Sequence, residues 1–293
     1  MRRAALVRKT LIGLLTLSAV AFSLDGRGLG AAYAVEGHRA DLVNREILRI
    51  CADPANLPFS NDKSEGFENK IAAIIGEELK LPVEYTWFPQ VTGFIRNTLG
   101  AKRCDLVIGT GQGDESMLNT NAIYSSSYAL LYKPNSGLDG VDSLFDPRLQ
   151  GKHIGVVAGS PPANLIAKAG LMGLAKPFQL VVDRRYDSPA EDMVKDIRSG
   201  EIAAGVLWGP IAGYFAAKGG EKLTVVPLLK DAKSNRLIFR ITMGVRQGDD
   251  LWKRQLNDII RKRQGDIDRA ILEFGVPLLD DDGQPVTQPR ANG

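Results

Sequence analysis

Apolar positions along the chain change period repeatedly, and each change marks an element. Ile47 to Ala52 is a short apolar run stopped by Asp53-Pro54, which predicts a buried strand followed by a loop through Asn56, Pro58 and Phe59. Phe67, Ile71, Ile74, Ile75 and Leu79 recur at helical spacing and predict an amphipathic helix over residues 67–80. Val83, Tyr85 and Trp87 alternate as in a strand, Phe94, Thr98 and Leu99 mark a second helix, and Asp105 to Gly109 reads as a short buried strand ending in a glycine-rich turn. Strands alternating with helices in this way predict βαβ units and a mainly parallel sheet.

A second series begins after Pro134. His153 to Ala158 is strand-like, and a helix begins near Pro161 or Pro162 after Gly159-Ser160. Phe178 to Val182 is read as another strand, and Ser188-Pro189-Ala190-Glu191 joins a capping box to a proline at the first helical position, opening a helix that Gly200 ends. Ile202 to Leu207 and Leu223 to Leu228 complete that lobe. Leu237 to Val245 is again a strand, Trp252, Leu256, Ile259 and Ile260 mark a helix, and Ile267, Ile271 and Phe274 mark another that stops at Gly275. The expected architecture is therefore α/β, with two lobes of mainly parallel sheet joined by two crossing strands around a cleft. Lobe one is expected over 46–130 plus 240–280 and lobe two over 134–235, with crossings near Ala129 to Lys133 and Arg236 to Met243 acting as hinges. Residues 281–293, rich in Asp, Gly, Pro and Gln, are expected to form a solvated, flexible tail.

Charge changes the picture at the N-terminus. Arg2, Arg3, Arg8 and Lys9 precede an apolar stretch of 14 residues from Leu11 to Leu24, and Ala32-Tyr33-Ala34 follows. That order is a secretory signal peptide with an A-x-A cleavage site, expected over residues 1–34. The stretch is short of the roughly 20 apolar residues a membrane-spanning helix needs. The signal carries five bases and one acid, so removing its net +4 from the formal +3 of the chain leaves about −1. The expected mature protein is thus near-neutral and periplasmic, has no membrane span, and shows no basic run of the kind nucleic acid requires.

Candidate chemistry is sparse. Cys51 and Cys104 can form a disulfide in an oxidising compartment, although on parallel neighbouring strands they would sit at different levels, and two buried thiols are the alternative. His38 and His153 are separate from each other and from the cysteines, so no metal site is expected. Gly109-Thr110-Gly111-Gln112-Gly113 lacks the Lys-Ser/Thr of a phosphate-binding loop and reads better as a βα turn. Gly159-Ser160-Pro161 is either an anion-binding helix start or an ordinary cap. Asp280-Asp281-Asp282-Gly283 lacks the spaced ligands of a calcium loop. No cofactor is expected.

Several ordered motifs carry a resemblance. They are Leu48-Arg49-Ile50-Cys51-Ala52-Asp53-Pro54, Asn56-Leu57-Pro58-Phe59-Ser60-Asn61, Gly66-Phe67-Glu68-Asn69, Gly93-Phe94-Ile95-Arg96-Asn97-Thr98-Leu99 and Cys104-Asp105-Leu106-Val107-Ile108-Gly109. Asn119-Thr120-Asn121 with Tyr124, and Val206-Leu207-Trp208-Gly209-Pro210, continue the series. Together, over roughly residues 46 to 278, they resemble the J-type (MxaJ/XoxJ) family of periplasmic proteins. The resemblance implies the fold of class II periplasmic binding proteins. It also implies a non-catalytic partner of a PQQ-dependent (quinoprotein) methanol or alcohol dehydrogenase that aids its maturation or activation.

Amino-acid receptors of that fold generally hold the ligand carboxylate with an Arg shortly after the Gly-Thr turn, and the ammonium with an acid after the strand at 202–207. Residues 110–118 contain no Arg, and Trp208-Gly209-Pro210 stands where the acid would be, so a typical amino-acid receptor is not expected. By analogy the cleft rim would hold Asp53, Asn56, Phe59, Gln90, Thr110, Gly111, Gly159, Ser160 and Trp208, each a candidate for touching a small molecule or partner, against the plainer reading of packing, turn or loop roles. Two further readings stand beside the accessory role. One is a receptor of an ABC-type uptake system for a solute that is not a typical amino acid; the other is an enzyme such as a dehydratase, for which Asp53 is the candidate acid or base.

Overall fold

The computed structural model describes residues 43–233 and 235–293. The expected signal peptide and His38 lie outside the described residues.

In lobe one, β1 (Leu48–Ala52) pairs in parallel with both β4 (Val83–Trp87) and β5 (Leu106–Gly111), with Ile50 opposite Tyr85 on one side and Leu106 on the other. Two short strands, β2 (Ala55–Asn56) and β3 (Ser60–Asn61), form a hairpin before α1 (Phe67–Leu79), and α2 (Phe94–Asn97) precedes β5. Both faces of this sheet are covered, which explains the continuous apolar runs. Leu48, Ile50, Leu106 and Ile108 face one core; Cys51 and Val107, one residue out of phase, face a second with Phe94, Leu99, Cys104 and Met117. Helix α1 buries Phe67, Ile71, Ala72 and Ile75 in the first core, each large side chain contributing about 2 kcal/mol.

The chain then enters β6 (Leu118–Tyr132), a strand of 15 residues that leaves one lobe and enters the other. In lobe two, β7 (Ile154–Val157), α3 (Pro161–Lys168), β8 (Ala175–Phe178), α4 (Pro189–Ser199) and β9 (Ala204–Trp208) build two parallel ladders around β7. After α5 (Gly209–Ala217), β10 (Thr224–Pro227) and the short α6 (Leu229–Ala232), β11 (Ile238–Val245) returns to lobe one. Helices α7 (Asp250–Lys262) and α8 (Gln264–Leu272) close it, followed by β12 (Leu278–Leu279) and β13 (Pro285–Val286). The parallel ladders form the centre of each lobe, whereas β6 and β11 join antiparallel to their neighbours.

Four expectations need correction. The strand read at Phe178 to Val182 is β8, four residues that end at Phe178. Pairing with β7 sets that register, Val157 opposite Phe178, and Leu180 and Val181 beyond it are exposed. The glycine-rich segment is not a βα turn: β5 continues through Gly111 against β11, and the chain turns back into β6. The anion-binding reading of the Gly159-Ser160 helix start fails because Pro161 and Pro162 open α3 without N–H donors, and the Ser160 hydroxyl donates to the Val157 carbonyl at 2.6 Å. Finally, residues 281–293 are tethered. β13 pairs with β12, and Arg290 donates from Nη2 and Nε to the fully buried Asp268 carboxylate at 2.6 and 2.7 Å. Burial pushes Asp268 up, but the Arg290 side chain and backbone N–H, with Gln264, outweigh it and hold the carboxyl below its usual value.

Cys51 and Cys104 are joined as a disulfide with their Cα atoms 5.5 Å apart. The difference of level does not prevent this, because Cys104 precedes β5 and its position is not bound by the ladder that begins at Leu106. Behind the bridge lies a buried ionic junction. Asp105 accepts from Arg49 Nε and Nη2, each at 2.7 Å, and from Arg246 Nη2 at 2.6 Å, while its carbonyl accepts from Trp252 Nε1 at 3.0 Å. Asp105, by its carboxylate and its carbonyl, thus ties β1, the start of β5, the end of β11 and α7 together.

Two stability outcomes follow. Replacing Cys51 and Cys104 by Ala releases a loop with a separation of 53 residues and is expected to cost about 2–4 kcal/mol in denaturant unfolding. Arg290→Ala leaves Asp268 buried without its cation; because Arg290 is 35% exposed, the expected loss is about 2 kcal/mol, below that of a fully enclosed pair.

Candidate functional site

A cleft of about 640 Å³ lies between the lobes, walled by the loop after β1, β5 and β6 on one side and by the 179–191 segment, β9 and α5 on the other. Its floor is aromatic. Phe67 is fully buried beneath it and meets Phe59, Tyr124 and Phe274 edge-on, at centroid separations of 5.3, 5.9 and 5.8 Å. Tyr128 and Trp208 meet at 5.5 Å with their planes 62° apart, backed by Phe239, so they form a corner facing the cleft.

The expected rim residues divide. Asn56, Phe59, Gln90, Ser160 and Trp208 line the cleft. Asp53 lies just behind that lining and is 5% exposed; its Oδ1 accepts from Ala55 N at 2.9 Å and its Oδ2 from Gln90 N at 2.7 Å. The same Oδ2 lies 3.4 Å from Arg184 Nη1, a contact reaching across the cleft from lobe two. Asn56 Nδ2 donates to Gln90 Oε1 at 3.1 Å, so the loop after β1 and the loop after β4 are held together by side chains and backbone. Thr110, Gly111 and Gly159 do not line the cleft. Thr110 is spent inside the sheet on Thr242, Oγ1 to Oγ1 3.1 Å; Gly111 pairs with Ile241 at the open end of β5; and Gly159 turns the chain before α3 with φ 76°. Gly109 takes the place read for Thr110 and Gly111.

The residue that sequence reasoning missed as a site is Glu68. It follows Phe67 in the first turn of α1, so burying Phe67 beneath the floor turns Glu68 toward the cleft. Two glycines make the room. Gly66 passes so close to the Phe59 carbonyl that a Cβ would lie 2.0 Å from its oxygen, and at Gly109, with φ 81°, a Cβ would lie 1.8 Å from Glu68 Oε1. Asn69 Oδ1 accepts from Gly66 N and Asn61 N, each at 3.1 Å, and fixes the helix start. Glu68 is 8% exposed, and among the described residues its carboxyl has neither a hydrogen-bond partner nor a cation. Burial first, and the nearby Asp53 charge second, push its pKa well above the ordinary carboxylic range. Tyr124 is likewise pushed up, by burial and then by Glu68. In the sequence Glu68 stands directly after a core aromatic at a helix start, within the motif Gly66-Phe67-Glu68-Asn69.

The missing receptor anchors are therefore only part of the account. No Arg follows the Gly-Thr turn, yet Arg184 enters from the 179–188 loop; of the acids at the cleft, Asp53, Asp62 and Glu68 come from lobe one, and Asp187 and Glu191 from the 179–191 segment. Each oxygen of Asp53 accepts a backbone N–H, which fixes its carboxyl in the loop after β1. Among the described residues, no helix is long and apolar enough to cross a membrane.

Comparison with known proteins places this geometry. No protein-family model matches the chain. Protein MoxJ of Methylorubrum extorquens is 30% identical over 247 residues, covering 79% of this chain and 81% of that one. The crystal structure of the periplasmic binding protein XoxJ from Methylobacterium extorquens AM1 is 39% identical with a TM-score of 0.66, covering 80% of this chain and all of that one. MxaJ from Methlophaga aminisulfidivorans MPT, 24% identical, superposes with a TM-score of 0.69 over 79% of this chain and all of its own. Solved amino-acid solute-binding proteins at about 20% identity share the fold and no more.

Glu68 yields a pH test whose sign is fixed. Its folded pKa lies above the unfolded value of 4.5, so as pH rises past that value the unfolded chain ionises while the folded one stays protonated, and stability falls. Unfolding of wild type and Glu68→Gln should therefore coincide near about pH 3, with the Gln variant increasingly the more stable toward about pH 7.

Proposed function

The chain belongs to the MoxJ/MxaJ/XoxJ family of periplasmic binding proteins, and on that footing we propose that it is an exported, non-catalytic accessory protein that binds a PQQ-dependent methanol or alcohol dehydrogenase and aids its maturation or activation. The observation that carries the reading is the 39% identity to XoxJ across the whole of that chain, together with the J-type motifs at residues 48–61, 66–69, 93–109 and 206–210. Export rests on the signal-like order of residues 1–34 and agrees with a disulfide between Cys51 and Cys104.

The surface offers a place for such a contact. Leu180, Val181 and Tyr186 are 58%, 76% and 80% exposed on the segment that ends at the cleft mouth, beside Arg184 and Arg185. Exposed apolar groups with adjacent arginines are the composition of a protein-binding face. A solute receptor of an uptake system is the second reading, favoured by the cleft itself and by the Asp53–Arg184 contact between its walls.

Sedimentation of the exported protein with purified quinoprotein dehydrogenase from the same cell is expected to show a complex. Replacing Val181 and Tyr186 by Asp should weaken it about tenfold or more without changing the melting temperature. Absence of a complex with any form of the dehydrogenase, mature or metal-poor, contradicts the reading.

A further inference from the structure

Glu68 remains unexplained by a protein-docking role. A carboxyl buried with no cation and no hydrogen-bond donor is costly, and a second carboxyl near enough to push its pKa up further adds to that cost. Among the described residues no cation is bonded to it: the titratable groups electrostatically linked to it are Asp53 after β1, Tyr85 on β4 and Tyr124 on β6, none of them cationic. The cations of the cleft lining lie on its walls: Lys63, Lys218 and Arg184, of which Arg184 reaches Asp53. Around Glu68 the surfaces are aromatic, with Phe59, Tyr124, Tyr128 and Trp208 all lining the same space.

We propose that the cleft is a binding site for a small organic cation, a primary amine or quaternary ammonium, whose charge is taken by Glu68 and whose alkyl groups rest against the Tyr128–Trp208 corner and Phe59. Aromatic faces attract such cations and bind them more strongly when water is excluded. A cation between Glu68 and Asp53 would remove the repulsion between them, so Glu68 ionises as the ligand enters and its proton passes to solvent. The space beside Gly109 is what allows the carboxyl to stand there, since any side chain at 109 would collide with it. Arg184 is the internal competitor: its guanidinium lies 3.4 Å from Asp53, on a side chain 43% exposed and so easily displaced. The site is independent of the dehydrogenase contact, and either can fail without the other.

The test is calorimetric titration of the exported protein with methylammonium, tetramethylammonium and choline, beside dimethylbutanol, the uncharged carbon isostere of choline. At least one cation should bind, choline should exceed its isostere about tenfold, and the heat should vary with buffer ionisation enthalpy as release of up to about one proton per site at neutral pH requires. Glu68→Gln should lose the proton release and bind about tenfold more weakly, while Arg184→Ala should bind more tightly. Proton release by the wild type reads the site without any variant. No binding of any of the three cations, equal binding of choline and its isostere, or binding without proton release would overturn the proposal.

Discussion

The cleft exists because one strand belongs to two sheets. From Leu118 to Ser127, β6 pairs with β11, and Leu278 and Leu279 of β12 lie along its other edge; from Tyr128 to Tyr132 it lies between β9 and β10. Its backbone polar groups would otherwise be buried without partners at the junction of two cores, which is costly, so the strand changes neighbours without a break in its hydrogen bonding. The change falls at Ser125-Ser126-Ser127, residues small enough to let strands from both lobes approach. Ser126 Oγ donates to Pro277 O at 2.7 Å, joining the end of lobe one to the crossing. The aromatic corner of the cleft stands at the next residue, because Tyr128 is opposite Trp208 in the β6–β9 register.

That placement gives the site its character. Lobe two contributes Trp208, the Arg184 loop and the exposed 180–186 segment, while lobe one contributes Asp53 and Glu68, two acids whose surroundings differ sharply. Asp53 is met by two backbone N–H groups and by Arg184. Glu68, in the first turn of α1, has no such partners among the described residues, and burial pushes its pKa well up. The tethering of Asp53 to Gln90 keeps the rim of the cleft in place.

Much of the fold was legible in the sequence because apolar spacing reports burial directly. The run at 48–52, the 3.6-residue recurrence from Phe67, and the Ser188 to Gly200 helix with its N-cap and proline are each local signals, and the Ser188 side chain does cap that helix by accepting from Glu191 N at 3.3 Å. What was not legible depends on distant partners. β8 takes its register from β7, not from its own apolarity, so Leu180 and Val181 looked like strand residues and are surface. The tail looked solvated because its composition is polar, yet Arg290 finds a buried Asp268 that no local pattern announces. The same limit applied to the cleft: Asn56, Phe59, Gln90, Ser160 and Trp208 could be placed at its rim from their loops and strand ends, whereas Glu68 lies inside a helix where polar residues ordinarily face water.

The central claim, that this chain serves a dehydrogenase and not an uptake system, is tested most directly in the cell that makes it. The measurement is dye-linked turnover per mole of periplasmic quinoprotein dehydrogenase, with the gene for this chain present, deleted and restored. The account predicts a several-fold fall on deletion that the restored gene reverses. Unchanged turnover, accompanied by loss of uptake of a small solute, would contradict it.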